Sequence, residues 1–268
     1  MKSIAVVTGA SSGVGREFVA QLCDRKGGPL DEIWIIARSK DTLEEMAAAS
    51  TNVTIRPIPL DLMDDASFAT LEAMLEDEKP CVQWLVNSAG FGVFGAYGDV
   101  GAKANANMVR LNCLALVQMM SVCLPHMQPG SCIVNLASIA GVIPQPFLAT
   151  YSASKAFVQE LSRMLNHELR GTGIHVIAVC PKFMHTKFLD KPGDNEAADA
   201  MTRIGFEEVE HVVSLALRLA VLGYPMSISC LDMQLAALAT KLLPRKCIFF
   251  VEDLFFGRLG KKDEAEAE

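Results

Sequence analysis

Three side chains suited to proton transfer lie close together in the sequence. Tyr151 and Lys155 are four positions apart, and Ser138 lies thirteen positions before the tyrosine. On a helix, residues i and i+4 share one face, so the phenol and the ammonium would point into the same space. A nearby cation favours the phenolate, and we therefore expect Lys155 to lower the pKa of Tyr151 from its ordinary value of about 10. With the serine hydroxyl to hold the same oxygen, the three residues predict a site that interconverts a carbonyl and an alcohol.

The N-terminus predicts a place for the redox carrier that such a site needs. Residues 4–8 form an apolar run typical of a buried parallel strand, and a helical pattern follows at Val14, Phe18 and Leu22. The turn between them has glycines at 9, 13 and 15, in the spacing G-x-x-x-G-x-G. A strand, a glycine-rich turn and a helix present backbone N–H groups and a helix N-terminus to a phosphate.

Together these motifs resemble those of short-chain dehydrogenases/reductases of the single-domain type. The family's T-G-x-x-x-G-x-G turn is met at residues 8–15, and its N-N-A-G motif at 87–90 with Ser88 in the second place. Its P-G-x-x-x-T segment is met at 181–186 with Lys182 in place of the glycine. Two interpretations of this lysine are open: it adopts ordinary backbone angles, or it faces the substrate entrance and meets an anion. The resemblance runs from residue 3 to roughly residue 225 and includes the family's catalytic set, here Asn112, Ser138, Tyr151 and Lys155.

The resemblance implies a role for each member of this set. Tyr151 is expected to be the general acid in reduction and the base in oxidation, and Lys155 to hold the nicotinamide ribose. Ser138 is expected to polarise the substrate oxygen, and Asn112 to position a water that relays protons to Lys155. The alternative for a lone Tyr-x-x-x-Lys pair is an ordinary helix surface, but four motifs in order favour the catalytic interpretation.

The resemblance also implies a set of cofactor-binding residues. Asp61 follows the third predicted strand, where the family contacts the adenine, although a turn or helix-capping aspartate fits the same place. Thr186 is expected to bind the carboxamide. The complete predicted set is Gly9, Ser11, Ser12, Gly13, Val14, Gly15, Arg38, Ser39, Asp61, Leu62, Asn87, Ala89, Gly90, Tyr151, Lys155, Pro181, Met184 and Thr186.

The end of the second predicted strand favours NADP over NAD. An acidic residue there would bind the ribose 2′-hydroxyl of NAD, whereas an arginine accepts a 2′-phosphate. The sequence has Arg38 and Ser39 at this place, and a guanidinium suits phosphate through its forked donors. A solvated surface arginine is the alternative, and it would leave the choice of cofactor open.

Composition narrows the remaining function classes. The chain has 268 residues, a formal net charge of −7 and a hydrophobic fraction of 51%. Because phosphate binding needs clustered cations and no dense Lys/Arg patch is present, nucleic acid is not expected as a partner. Eight scattered cysteines without a C-x-x-C pair or metal-ligand spacing predict a reduced, cytoplasmic protein without disulfides or a metal site. No uninterrupted apolar run reaches the length of a membrane span.

Strand and helix patterns alternate, which predicts an α/β fold: a Rossmann-type doubly wound parallel sheet with helices on both faces. Predicted strands after the first lie at 33–37, 53–57, 82–87, 132–136 and 174–180, and predicted helices include 43–49, 66–76, 102–127 and 151–170. We expect one domain over residues 1–260, with a substrate lid at 187–205, a helical extension at 207–257 and a disordered tail at 261–268. A short candidate for a seventh strand lies at 226–230.

Apolar residues near the motifs predict a hydrophobic carbonyl substrate. The family includes hydroxysteroid dehydrogenases, among them enzymes of bile acids, and acyl-chain ketoreductases, and the sequence does not choose between them. The candidate pocket residues are Phe91, Phe94, Tyr97, Ile143, Phe147, Phe183 and Phe188.

Three further hypotheses concern partners. The family commonly forms homodimers through two long helices, here with apolar contacts expected from Cys113, Leu116, Met120, Phe157, Leu161 and Met164. The phenylalanine pairs 249–250 and 255–256 near basic residues would suit a membrane-surface helix, a dimer contact or a covered core face. A dinucleotide-binding redox sensor or scaffold without turnover is the alternative to an enzyme, and the complete catalytic set disfavours it.

Overall fold

The computed structural model describes residues 1–24, 30–143, 145–184, 205–244 and 246–248. Seven parallel strands form its main sheet, in the order β3-β2-β1-β4-β5-β6-β9. A separate pair of two-residue strands, β7 and β8, lies after β6. The bounds are β1 Ser3–Thr8, β2 Glu32–Ala37, β3 Thr54–Pro59, β4 Cys81–Asn87, β5 Cys132–Leu136, β6 His175–Val179, β7 Phe183–Met184, β8 Phe206–Glu207 and β9 Met226–Ser227.

Helices cover both faces of this sheet. Their bounds are α1 Gly13–Cys23, α2 Lys40–Ala49, α3 Ala66–Glu78, α4 Tyr97–Val100, α5 Ala102–Val109, α6 Ala115–Cys123, α7 Ala149–Glu168, α8 Val209–Val221 and α9 Leu231–Leu242. A π-helical turn at Arg110–Leu114 joins α5 to α6, and 3-10 turns lie at Leu124–His126 and Ile139–Gly141. The predicted fold class is confirmed.

The strands are apolar throughout because both of their faces are buried. In β1, Ile4 and Val6 belong to one core cluster and Ala5 and Val7 to another, so alternate residues serve opposite sides of the sheet. Such runs are typical of parallel sheets covered by helices on both sides. The strand order reverses direction between β1 and β4, which places a crevice at their carboxyl ends.

The first part of the predicted helical extension belongs to the core. In α8, Val213 and Leu217 lie in the same apolar cluster as Phe18 of α1. The strand β9 pairs with β6 through Ala178 and Met226 and is the seventh strand of the sheet. The predicted candidate at 226–230 is therefore confirmed, but shortened to two residues.

The segment from Ala102 to His126 is long and apolar enough to cross a membrane, a property that the search for an uninterrupted apolar run missed. Leu116, Met119 and Met120 on its inner side are buried in the core, as in a core helix of a globular protein. Length and composition alone are thus weak evidence for a span.

Helix α9 presents apolar side chains to solvent at helical spacing. The exposed residues are Leu231, Leu235, Leu238 and Leu242. The phenylalanine pairs of the membrane-surface hypothesis, the tail at 261–268, and the lid apart from residue 205 lie outside the described residues. Flotation with liposomes tests whether this leucine face meets lipid.

Candidate active site

A cleft of about 710 Å³ opens at the carboxyl ends of β1 and β4. Its walls bring together the glycine-rich turn, the ends of β2 and β3, the N-N-A-G-like segment and three of the four predicted catalytic residues. Among the predicted site residues, those that line it are Gly9, Ser11, Ser12, Gly13, Val14, Arg38, Ser39, Asp61, Leu62, Ala89, Gly90, Ser138, Tyr151, Lys155, Pro181 and Met184.

The glycine-rich turn packs directly against the segment that follows β4. Gly9 has a φ of 65°, and a Cβ added there would lie 2.8 Å from the backbone nitrogen of Ala89. The hydroxyl of Thr8 accepts hydrogen bonds from the N–H groups of Ser88 and Ala89, at 3.1 and 3.2 Å. A side chain at position 9 would therefore clash with the backbone of the segment after β4, and the N-terminus of α1 lies beside this turn. This arrangement fits a pyrophosphate.

Arg38, the residue predicted to favour the 2′-phosphate of NADP over the 2′-hydroxyl of NAD, directly follows β2. Arg38 is exposed at the cleft and forms no ion pair within the described part of the chain. The hydroxyl of Ser39 lies 2.8 Å from that of Thr42 at the start of α2. Asp61 lines the cleft as well, although its Oδ1 also accepts a hydrogen bond from the N–H of Met63 at 3.0 Å, which is the turn role considered as its alternative. These residues fit the ribose end of a dinucleotide.

Ser138 and Tyr151 meet where β5 ends and α7 begins. Ser138 caps the 3-10 turn, accepting the N–H of Ala140 at 3.2 Å, and its hydroxyl hydrogen-bonds to the phenol of Tyr151. Lys155, one helical turn further, lies with its Nζ 5.7 Å from the centroid of the tyrosine ring. That Nζ donates to the carbonyl oxygen of Leu136 at 2.6 Å. Helical spacing thus places Tyr151 and Lys155 on one face of α7, and the end of β5 brings Ser138 to them, so that the three side chains lie together.

The expected lowering of the tyrosine pKa is wrong for the described structure. Burial raises the pKa of Tyr151 to about 12, against the smaller opposing effect of the Ser138 hydrogen bond. Burial also lowers the pKa of Lys155 to about 8. Loss of water disfavours the charged form of each group, and the ammonium lies beside the ring while bonded to a backbone carbonyl. Tyr151 is therefore a neutral phenol at pH 7, which is the form that donates a proton.

Asn112 is buried beside the cleft and binds the backbone of Phe91. It lies in the π-helical turn, where its Nδ2 donates to the carbonyl oxygen of Phe91 at 2.9 Å and its Oδ1 accepts the N–H of the same residue at 3.0 Å. A Cβ added at Gly90 would lie 3.0 Å from this Oδ1 and 3.4 Å from the Nζ of Lys155. Asn112 thus holds the segment at 90–91 against Lys155, while its role in a proton relay stays a prediction.

Two other predicted cofactor residues are also buried rather than exposed to the cleft. Gly15 packs against Gly9, and a Cβ added at Gly15 would lie 2.8 Å from the carbonyl carbon of Gly9. Asn87 donates from its Nδ2 to Asn135 Oδ1 at 2.8 Å, which joins β4 to β5. These residues shape the cleft without lining it, and Thr186 lies outside the described residues.

Lys182, in place of the family's glycine, adopts ordinary backbone angles. The described residues other than glycine with positive φ are Lys79 and Phe147. The Nζ of Lys182 lies 2.7 Å from Asp232 Oδ2 in α9, and its N–H donates to Glu207 Oε2 at 2.8 Å. The anion that the lysine meets therefore includes a carboxylate of its own chain, and the pair joins the cleft wall to the C-terminal part of the fold.

The structure places some of the residues predicted for an apolar substrate pocket in the cleft wall and others elsewhere, and their contact with a substrate stays a prediction. Phe91 and Phe183 line the cleft, whereas Phe94 is buried behind it against Tyr151 and Tyr97 is 68% exposed. Phe188 lies outside the described residues. Further apolar wall residues that the motifs did not indicate are Leu60, Leu111 and Ile139.

Gln145 is a polar wall residue that the motifs also missed. It is 6% exposed and lies between Ser138 and Tyr151 in the sequence. The signal that could have found it is a single polar residue in the otherwise apolar stretch 142–148.

Comparison with known proteins now decides the family. The family model described as short chain dehydrogenase matches residues 3–197. The chain is a short-chain dehydrogenase/reductase. Proteins of this family with which it aligns are named reductases and dehydrogenases, and its activity class is that of an oxidoreductase.

Two relatives illustrate the range of the match. This short-chain dehydrogenase/reductase is 32% identical over 210 residues to sulfoacetaldehyde reductase 2 of Chromohalobacter salexigens, covering 76% of this chain and 82% of the relative. It is 32% identical over 204 residues to the very-long-chain 3-oxoacyl-CoA reductase of Homo sapiens, covering 70% of this chain and 64% of the relative. The chain thus spans less than two thirds of the length of that second protein.

Solved structures share the fold over nearly the whole chain. A short-chain dehydrogenase from Sphingobium yanoikuyae in complex with NADPH has a TM-score of 0.76 at 27% identity, covering 93% of this chain and 96% of its own. A short-chain dehydrogenase/reductase from Burkholderia phymatum in complex with NAD has a TM-score of 0.76 at 23% identity, covering 93% and 95%. The fold binds nicotinamide dinucleotides, and both cofactors occur among its neighbours.

Proposed function

We propose that this short-chain dehydrogenase/reductase interconverts a carbonyl and an alcohol on a hydrophobic substrate, with NADP(H) as the cofactor. The observation that carries the proposal is the meeting of Ser138, Tyr151 and Lys155 in one cleft that also contains the glycine-rich turn. A hydroxyl, a neutral phenol and a buried ammonium suit an oxygen that must be held and protonated.

The chain's own residues account for the proton chemistry. When bound, a nicotinamide dinucleotide supplies the two-electron reduction. The hydroxyl of Ser138 donates a hydrogen bond to the carbonyl oxygen and so polarises it. Tyr151 donates its phenolic proton to that oxygen, and Lys155 stabilises the phenolate that remains. In the oxidative direction the same phenolate accepts the proton of the alcohol.

The preference for NADP rests on Arg38. Its guanidinium is exposed at the cleft with no ion pair among the described residues, so it is available to a 2′-phosphate. A carboxylate, which would favour NAD, is absent from positions 37–39. The NADPH complex of the Sphingobium yanoikuyae protein is consistent with this choice.

An acyl-chain or steroid-like substrate is supported by the apolar walls. Phe91, Leu111 and Phe183 line the cleft near the catalytic residues. The name of the Homo sapiens relative, a very-long-chain 3-oxoacyl-CoA reductase, favours an acyl chain. A small anionic aldehyde, as in the name of the bacterial relative, would need a cation at the substrate end, where Lys182 is already paired with Asp232.

A cytoplasmic homodimer completes the proposal. Phe157 and Met164 of α7 are exposed, as are Val109 and Leu114 of the neighbouring long helix, which supports the predicted helix-mediated contact. Of the other residues predicted for this contact, Leu116 and Met120 are instead buried in the core. All eight cysteines are free thiols, which suits a reducing compartment. Sedimentation at micromolar concentration tests the dimer, and a monomer would contradict it.

The test is oxidation of NADPH and of NADH against a panel of ketosteroids, oxo-bile acids, 3-oxoacyl thioesters and simple aldehydes. Turnover with NADPH on the hydrophobic carbonyls is the expected result. Turnover with NADH alone would overturn the argument from Arg38. Dinucleotide binding without turnover of any carbonyl would favour the redox-sensor alternative.

A further inference from the structure

Gln145 is a buried amide in the cleft that has no hydrogen-bond partner for its carbonyl oxygen. The side chain is 6% exposed, and its Oε1 is fully enclosed and unpaired among the described residues. Two other described residues have such an atom, Asn87 and Ser152, but neither lines the cleft. A buried polar group that is left unsatisfied destabilises the fold, so native proteins rarely contain one without a reason.

A second local cost occurs two residues later. Phe147 has a φ of 61°, a strained conformation that is rare for an aromatic residue. Its carbonyl oxygen accepts the N–H of Gly95 at 2.9 Å, which fixes the loop against the segment after β4. Backbone strain that the surroundings enforce is typical of ligand sites. Both costs fall in the short loop between Ser138 and Tyr151.

The surroundings of Gln145 indicate what its partner is. Tyr151 and Phe183, which line the same cleft, belong to an apolar cluster with Ala140 and Leu148, so a hydrogen bond made there is well shielded from water. The unpaired atom is an amide oxygen, which accepts a hydrogen bond and carries no charge, so its partner is a neutral donor such as a hydroxyl group rather than a carbonyl or an ion. Ser138 and Tyr151 already serve the oxygen that reacts.

We propose that the amide oxygen of Gln145 accepts a hydrogen bond from a hydroxyl group that the substrate carries in addition to the carbonyl that is reduced. This inference rests on the proposed function and narrows its substrate class. The preferred substrates are hydroxyketones rather than 3-oxoacyl thioesters or simple ketones of the same chain length. A site built to hydrogen-bond a substrate group discriminates strongly against analogues that lack it.

The experiment compares Gln145→Met with the wild type on three substrates of equal chain length. These are a 3-oxoacyl thioester, a hydroxyketone and a simple ketone, assayed with NADPH for kcat and KM. Methionine keeps the length and apolar volume of the side chain without its amide. We expect kcat/KM for the hydroxyketone to fall by about 10- to 100-fold, while kcat/KM for the 3-oxoacyl thioester and for the simple ketone stays the same or rises. A loss on the thioester alone would overturn the proposal, because a second carbonyl cannot donate to the amide oxygen.

Gln159→Leu is the matched control, because Gln159 is a partly buried glutamine of α7 whose Nε2 lies 3.5 Å from the sulfur of Met226, away from the cleft lining. It should leave the preference among the three substrates unchanged. If Gln145→Met does not fold, the wild type alone decides, since the proposal requires it to prefer the hydroxyketone over the simple ketone and the 3-oxoacyl thioester.

Equal kcat/KM for all three substrates in the wild type, or a Gln145→Met variant that keeps the wild-type preference, would overturn the role of Gln145. In both cases the proposed function would stand, because turnover would still occur. A wild-type protein that binds NADPH and reduces none of the three substrates would instead remove the proposed function.

Discussion

Replacing Asp232 by asparagine removes the carboxylate that forms the ion pair with the Nζ of Lys182 in the cleft wall. The lysine side chain is 9% exposed and the aspartate side chain 53% exposed, with 2.7 Å between Nζ and Oδ2. Breaking a fully buried ion pair costs about 3–5 kcal/mol, and the nearby carboxylate of Glu207 continues to act on Lys182 in this variant. Water screens the half-exposed Asp232, so we expect a loss of about 1–2 kcal/mol. That loss corresponds to a decrease in Tm of roughly 2–8 °C for a chain of this size.

The assay is thermal unfolding at pH 7, followed by circular dichroism. Asparagine keeps the acceptor for the N–H of Met233, which Asp232 Oδ1 bonds at 2.8 Å, so the start of α9 is preserved. Lys182→Met should cost less than Asp232→Asn, because it removes the buried charge together with the bond. Lys241→Met on the same helix, where the lysine is exposed, is the control and should change the Tm little.

The pH dependence of this pair follows from the carboxylate. The hydrogen bond from Lys182 lowers the pKa of Asp232 below its ordinary value of 3.8. A depressed carboxylate pKa stabilises the folded state above the unfolded-state value and ceases to do so as the pH falls through the folded-state value. The stability gap between wild type and Asp232→Asn should therefore shrink below pH 3.8. A gap that is absent at pH 7, or a Lys182→Met variant less stable than Asp232→Asn, would refute the reasoning.

Three further predictions concern the cofactor cradle and the buried lysine. Arg38→Asp should lower kcat/KM with NADPH by about 10- to 100-fold and leave NADH turnover unchanged or improved. The control Lys40→Asp makes the same change of charge nearby and should not lower kcat/KM with NADPH. Equal effects of the two substitutions would contradict the 2′-phosphate role of Arg38. Gly9→Ala should abolish dinucleotide binding, measured by fluorescence titration, because of the clash and the φ of 65°, while Gly98→Ala, where an added Cβ meets nothing within 4 Å, should bind normally. Burial lowers the pKa of Lys155 from 10.5 to about 8, so the folded wild type loses this proton at a lower pH than the unfolded chain does. The stability of the wild type relative to Lys155→Met should therefore rise by about 3 kcal/mol between these pH values, at roughly 1.4 kcal/mol per pH unit. A stability difference that does not change with pH in urea unfolding would contradict the burial effect.

Local sequence pattern predicted those elements in which a single periodicity dominates. The strand predicted at 132–136 is β5 with the same bounds, because a strand buried on both faces is an uninterrupted apolar run. The spacing of Tyr151 and Lys155 placed them on one face of α7 because helix geometry depends on little else. In contrast, β9 is only two residues long and is defined by its pairing with β6, which no local pattern reveals.

The features that the sequence did not predict depend on contacts between distant segments. The anion that Lys182 meets lies fifty residues away, on a helix whose position follows from the packing of α8. The pKa of Tyr151 rises because the folded protein excludes water around the phenol, an effect larger than that of a lysine one turn away. The unsatisfied amide of Gln145 is likewise visible only once burial is known.

The central claim, that Tyr151 is the proton donor, is tested most directly by the turnover of Tyr151→Phe with NADPH and the best carbonyl of the panel. Tyr97→Phe is the matched control, since Tyr97 is 68% exposed and outside the cleft lining. We predict that Tyr151→Phe still binds NADPH but loses at least about 100-fold in kcat, the usual contribution of a general acid, while Tyr97→Phe keeps wild-type activity. A Tyr151→Phe variant with wild-type kcat would contradict the account.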